Sequence, residues 1–287
     1  MRFVRGLLAL CQGELDELSV RLPLRVQFIY QKLVARLRGR GVRAIHDRDS
    51  GLLALEDRDG TQVCVAHPRR ASYYRTGVQM RLERLATSYC LGASSPWLGD
   101  VTVLVDCGAN CGELGMALRP ARYVAFEPDP SAYKALTANT SGDFFQVALA
   151  DKAGALPLFL KPESADSSLI GNVWEPSVMV QTERLDSIMD TLELESIDLL
   201  KVEAEGFEPE VLAGAERTLT RCRLVAVDCG PERGGFDTAA RCVEILYDHG
   251  FKLSDTRMFS GRMLFTRGDV KPAPEVGSVR QADELFV

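Results

Sequence analysis

Val101-Thr-Val-Leu-Val-Asp106-Cys-Gly108-Ala-Asn110-Cys-Gly112-Glu-Leu-Gly115 decides the fold. A β-branched apolar run ends in an acid, then a glycine turn, then residues at helical spacing. That order reads as a buried parallel strand, a tight loop and a helix N-terminus. Glycine at 108 and 112 lets backbone approach a ligand closely, and the N–H groups opening the helix favour an anionic group. Asp106, at the carboxyl end of the strand, is placed to meet a cation. A ligand bearing a carboxylate and an ammonium suits both. A dinucleotide suits the turn less, because G-x-G-x-x-G needs glycine where Asn110 stands.

Working outward, Arg122-Tyr-Val-Ala-Phe126-Glu127-Pro128-Asp129-Pro130 is a second short strand ending in an acid. In a nucleotide-binding βαβ unit the acid at this place accepts ribose hydroxyls. A third block, Ile197-Asp-Leu-Leu-Lys201-Val-Glu203-Ala-Glu205-Gly206-Phe-Glu208-Pro-Glu-Val-Leu-Ala-Gly214-Ala, places two more acids at another strand end. Between and after these blocks strands and helices alternate, as in parallel α/β proteins. Strands are expected at 101–106, 122–127, 143–148, 197–203 and 223–228. Helices are expected near 111–119, 130–139, 208–220 and 236–249, with extended segments at 155–160 and 178–183.

Together the three blocks resemble the FkbM family of class I S-adenosylmethionine-dependent methyltransferases. The resemblance covers roughly residues 100–267. It departs from the family pattern at Glu203, where aspartate is usual, and at Asp228, where glutamate is common. It implies an α/β fold, a Rossmann-like, doubly wound and mostly parallel sheet. The stretches Phe251-Lys-Leu-Ser and Arg262-Met-Leu-Phe-Thr would form its closing antiparallel hairpin. It also implies S-adenosyl-L-methionine as cofactor and O-methylation of a sugar, glycan or secondary-metabolite hydroxyl. Asp106, Gly108, Ala109, Asn110 and Gly112 then form the cofactor turn, Glu127 with Pro128 beside it meets the ribose, and the adenine edge lies near Val147 and Ala148. Asp151 either contacts the adenine amino group or caps a turn. A nucleotide-dependent oxidoreductase and a non-catalytic module on the same fold are the competing readings.

Methyl transfer to an alcohol asks the protein to align the nucleophile and take its proton. Glu203 and Glu205 are the catalytic candidates, because a half-buried carboxyl beside another has its pKa raised. Asp228 is the next. The three acids also offer oxygen ligands for a divalent cation, although their spacing does not require one and no metal site is assigned. His67, Tyr73 and Tyr74 stand where an acceptor could reach, and each has a plain reading as loop or helix residue.

Residues 1–95 read as an N-terminal cap, residues 96–270 as the catalytic domain and 271–287 as a surface tail. In the cap, Leu52–Glu56 and Thr61–Ala66 form an expected β-hairpin across Asp57-Arg-Asp-Gly60, and 73–89 an expected helix. Residues 1–40 are helical in pattern and basic, with Val26, Ile29, Leu33 and Leu37 on one face and Arg25, Lys32, Arg36 and Arg38 around it. Such a helix packs on the core or rests on an anionic membrane or an acidic carrier protein. The net charge of −6 over 287 residues speaks against nucleic acid as partner. Eight cysteines without C-x-x-C, no apolar run long enough to span a bilayer and a weak leader pattern at residues 1–12 point to a cytoplasmic, reduced protein.

Overall fold

The computed structural model describes residues 26–27, 29–30, 42–93, 95–96, 101–161, 166–172, 174–257 and 260–268. The expected hairpin gains a third strand. β1 (Arg43–His46), β2 (Leu53–Glu56) and β3 (Gln62–Val65) pair antiparallel in that order. A 3-10 turn, Pro68–Tyr74, and helix α1 (Val78–Ser88) follow. The single helix expected over 73–89 is broken at Gly77, whose φ of +126° no helical residue adopts. Asp57, from the hairpin turn, accepts from the N–H groups of Val78 and Gln79 at 2.8 and 3.0 Å and so caps α1. Leu53, Leu55, Val63 and Val65 pack with Tyr74, Val78 and Leu82 in a small core of their own.

The chain then runs β4 (Val103–Cys107), α2 (Glu113–Leu118), β5 (Arg122–Phe126), α3 (Pro130–Asn139) and β6 (Asp143–Phe145). β7 (Ala148–Leu149), β8 (Gly154–Phe159), β9 (Ser177–Glu183) and α4 (Leu185–Met189) come next. β10 (Ile197–Val202), α5 (Glu208–Ala213), α6 (Glu216–Leu219), β11 (Cys222–Asp228), α7 (Ala239–Asp248), β12 (Phe251–Arg257) and β13 (Arg262–Arg267) complete it. The main sheet has seven strands in the order β12-β13-β11-β10-β4-β5-β6, and only β13 runs against its neighbours. This is the doubly wound sheet with a closing antiparallel hairpin that the resemblance implies. Strand order reverses beside β4, which opens a crevice at the carboxyl ends of β4 and β10. Apolar residues cover both sheet faces, with Val105, Leu200 and Val225 on one side and Leu104, Leu199 and Leu224 on the other. The N-terminal sheet meets the α/β part at Asn139, which accepts from the Cys64 N–H at 2.7 Å and donates to the carbonyls of Cys64 and Cys111 at 2.8 Å.

Two expected elements are cut short. The strand over 143–148 ends at Phe145, and Ala148–Leu149 turns away to pair with β9 in the order β7-β9-β8. The helix over 208–220 breaks at Gly214, where an added Cβ would lie 2.1 Å from the Ala150 carbonyl oxygen. The basic helix of residues 1–40 lies outside the described residues except for Val26, Gln27, Ile29 and Tyr30, and the tail 271–287 lies wholly outside them. No described helix is long and apolar enough to cross a membrane.

Candidate functional site

A cavity of about 360 Å³ opens where β4, β5, β10 and β11 end. Asp106, Gly108, Ala109, Asn110, Glu127, Pro128, Val147, Ala148, Glu203 and Glu205 all line it, joined by Asp228, His67 and Tyr73. Gly112 does not. It enters α2 at φ +79°, and a Cβ there would lie 2.8 Å from the Leu136 side chain, so its smallness serves packing of α2 on α3. Tyr74 and Asp151 also stand outside the lining.

The cofactor turn is closer packed than its glycines suggested. A Cβ on Gly108 would lie 1.8 Å from the Glu203 carbonyl oxygen, so the β4 and β10 turns touch backbone to backbone. Asn110 is held at φ +50°, a conformation that costs free energy for a residue with a side chain. The amides of the turn are spent inside the protein. Gly108 and Ala109 donate to the Phe126 carbonyl, Asn110 to Glu127 Oε2 at 2.7 Å, and Gly112 to the Ala109 carbonyl. The anion cradle expected at the opening of α2 is therefore absent from these groups. The first residue of that helix is itself the buried carboxylate Glu113.

Glu127 accepts from Asn110 and, through Oε1, from the Asp129 N–H at 2.9 Å. Burial pushes its carboxyl up to about 7 against the pull of those two donors. Asp106, expected to meet a cation, has one within the protein. Its carboxylate is held by the Tyr123 hydroxyl at 2.9 Å and paired with Lys201 Nζ at 3.1 Å, at the wall of the cavity. The sheet register causes this, because Lys201 lies directly beside Asp106 across the β4–β10 pair.

Lys201 is the hub that the sequence reading passed over. Buried in β10, its ammonium also reaches the Gly108 carbonyl at 2.6 Å, the Cys107 carbonyl at 3.3 Å and Glu203 Oε2 at 3.1 Å. Arg262 on β13 donates to Glu203 Oε1 at 3.2 Å, to Asp228 Oδ2 at 2.7 Å and to Ser88 Oγ at 2.7 Å, over the Tyr89 ring. These cations reverse the expectation for Glu203. Burial drives its carboxyl up, but Lys201 and Arg262 outweigh burial and hold it at about 2. Glu205 follows the expectation: burial, then the charges of Glu203 and Asp166, raise it to about 9. Burial and Glu203 likewise lift Asp228 to about 7 despite Arg262. Glu205 sits at φ +50°, a second strained residue on the cavity wall. Its turn is braced by Glu208, which accepts from the N–H groups of Ala204 and Gly206 at 2.9 Å and from the Thr238 hydroxyl at 2.9 Å.

Two further groups had little sequence signal. Asp129 caps α3 through the N–H groups of Ser131 and Ala132 and accepts from Ser167, while His67 bonds to it at the cavity edge. Burial would raise the Asp129 carboxyl, but these donors hold it at about 2. Glu113 accepts from Arg70 at 2.9 Å, Arg81 at 2.8 Å and the Tyr74 hydroxyl at 2.8 Å. Its charged partners lie 43 and 32 residues away in the chain, beyond any local motif.

A strand-turn-helix at the switch point, an acid ending the next strand and an acid pair ending β10 are now in one cavity. The model of the methyltransferase FkbM domain matches residues 106–254. The chain belongs to the FkbM methyltransferase family. Among curated FkbM relatives, the 2-O-methyltransferase NoeI of Sinorhizobium fredii is 30% identical over 148 residues, which are 43% of this chain and 61% of NoeI. Methyltransferase sdnD of Sordaria araneosa is 28% identical over 237 residues, covering 66% of this chain and 88% of sdnD. The solved FkbM methyltransferase of Methylobacillus flagellatus overlays with a TM-score of 0.42 at 15% identity, over 84% of this chain and 59% of that one. The match thus spans less than two thirds of NoeI and of that structure. The residues of this FkbM chain fit an adenosyl cofactor. The carboxyl-bearing Glu127 lines the cavity at the end of β5, and Val147 and Ala148 give it an apolar wall.

Proposed function

We propose that this chain transfers a methyl group from S-adenosylmethionine to a hydroxyl of a sugar, glycan or other metabolite. One observation carries the reading: the turn of β4, Glu127 of β5 and the acids ending β10 and β11 line a single cavity. The oxygen acceptor is supported by the name of the relative NoeI, a 2-O-methyltransferase. Bound there, S-adenosylmethionine supplies an electrophilic methyl group, and the rest falls to the protein's own groups. Glu127, Val147 and Ala148 hold the nucleoside. Glu203, ionised and clamped between Lys201 and Arg262, is a poor base and acts as a fixed negative charge. Asp228, raised to about 7, is partly ionised near neutrality and takes the acceptor's proton, while Glu205, raised to about 9, keeps its own proton and donates a hydrogen bond.

The test is incubation with methyl-labelled cofactor and a panel of sugars and polyols. Label should appear as an ether, and Asp228→Asn should lower turnover by about a hundredfold or more with cofactor affinity little changed. Full turnover in folded Asp228→Asn removes the base assignment, and label on nitrogen removes the acceptor class. A chelator should leave the rate unchanged. We also place the protein in the cytoplasm, which the free, buried cysteines among the described residues support. The basic 1–40 segment is proposed to touch an anionic membrane or an acidic carrier protein. The exposed side chains of Val26 and Ile29 support an apolar face available for that. Cosedimentation with anionic vesicles at low salt, lost on deletion of residues 2–40, is the expected result.

A further inference from the structure

We propose that Glu232, in the loop after β11, positions the methyl acceptor by accepting a hydrogen bond from a second hydroxyl beside the one that is methylated. The acceptor is thereby narrowed to a diol, the arrangement that a sugar ring offers. This rests on the hydroxyl-acceptor reading above and names a residue that would hold that acceptor. The strand order separates the two ends of the cavity. Glu127 ends β5 and Val147 follows β6, both to one side of β4, whereas β10 and β11 lie to the other. A nucleoside on the first side leaves the β11 end to the acceptor, where Asp228 and Glu232 line the wall.

The acids beside it have their cations: Glu203 pairs with Lys201 and Arg262, and Asp228 with Arg262. Glu232 differs, for its Oε2 is buried without a hydrogen-bond partner. A carboxylate oxygen shut from water with no donor is costly, and a bound hydroxyl supplies the donor. The loop fixes the carboxylate in place. A Cβ on Gly230 would lie 2.0 Å from Glu232 Oε1, so glycine at 230 leaves the space that the carboxylate fills. Arg233 is committed elsewhere, donating to the Gly206 carbonyl at 2.9 Å and to Glu210 at 2.6 Å, which fastens the loop to the Glu205 turn. The charge of Glu232 helps to raise both Asp228 and Glu205, so it stands among the acids that handle the acceptor's proton. Tyr89 is a second group of this kind. It lines the same cavity at 1% exposure, its ring lies 4.4 Å from the Arg262 guanidinium that holds Asp228, and its hydroxyl completes no hydrogen bond of ordinary geometry.

Steady-state kinetics of the full chain with methyl-labelled cofactor test this, using a panel of sugars and, for each one methylated, the deoxy sugars that lack a neighbouring hydroxyl. Glu232→Ala should raise KM for the intact sugar by about ten- to a hundredfold, with kcat within about threefold and S-adenosylhomocysteine affinity within about twofold. One deoxy sugar should show that rise already with the parent protein and gain no more from the variant. Glu232→Gln, which keeps one acceptor oxygen, should recover part of the loss. Neither variant should lower the urea midpoint, as loss of a structural brace would. Equal effects on intact and deoxy sugars, an unchanged KM, or a lowered midpoint overturns the assignment. If S-adenosylhomocysteine binds but no hydroxyl of the panel is labelled, the hydroxyl-acceptor reading falls and takes this role of Glu232 with it.

Discussion

At the scale of single residues, Lys201 stands between Leu200 and Val202 with its ammonium 3.1 Å from both Asp106 and Glu203. Removing it would leave two carboxylates inside the crevice without their shared cation. Lys201→Met should therefore cost about 3–5 kcal/mol in urea unfolding, and a loss below about 1 kcal/mol would show that the lysine balances little. Glu205 is the opposite case, an acid whose native pKa of about 9 lies far above its ordinary 4.5. Native protein keeps a proton there that the unfolded chain has already lost. Its contribution to stability is thus greatest below the ordinary carboxyl range and is lost as pH rises toward 9. Glu205→Gln should raise the melting temperature relative to the parent, by more at about pH 8 than at about pH 5. A difference independent of pH would contradict the raised value. The sequence marked both glutamates as site acids but could not separate their roles, because the distinction is made by two cations, Lys201 on β10 and Arg262 on the far β13. Lys201 did leave a signal, a charge inside the apolar run Ile197–Val202, where a lone lysine must have partners.

The elements that build the site are two turns pressed together, after β4 and after β10. Gly108 and Gly206 make them possible, and Glu208 ties the second one down through three hydrogen bonds. Its place in the Glu205-Gly206-Phe207-Glu208 block is thus explained by backbone N–H groups rather than by chemistry on a substrate. Glu208→Ala should cost about 3 kcal/mol in denaturant unfolding, the scale of a buried charged acceptor losing several donors. An unchanged midpoint would mean the turn stands without it. Strands β4, β5, β10 and β11 were legible because apolar runs bounded by acids and glycine are unambiguous. The ends of 143–148 and 208–220 were not, since each is set by a contact outside its own segment: Ala148 with β9, and Gly214 with the Ala150 carbonyl.

Across the whole molecule, the small N-terminal sheet reaches the crevice through Arg70, Tyr73 and Arg81, so the cavity wall comes from regions far apart in sequence. Asn139, at the end of α3, fastens that sheet by two hydrogen bonds to Cys64 and makes a third to Cys111 in the turn before α2. The alternation of strands and helices followed from the sequence pattern, and the doubly wound sheet and its cofactor edge from the family resemblance of the three blocks. The arginine wall did not, because no period or motif links residues 70 and 81 to Glu113. The account's central claim is that this cavity is an adenosyl-cofactor site whose nucleoside is held by Glu127. Calorimetric titration with S-adenosylmethionine, on the parent protein and on Glu127→Ala with an unchanged far-ultraviolet spectrum, tests it most directly. The account predicts one site per chain in the micromolar range, weakened by about tenfold or more in the variant. No binding to the parent, or undiminished binding to folded Glu127→Ala, would contradict it.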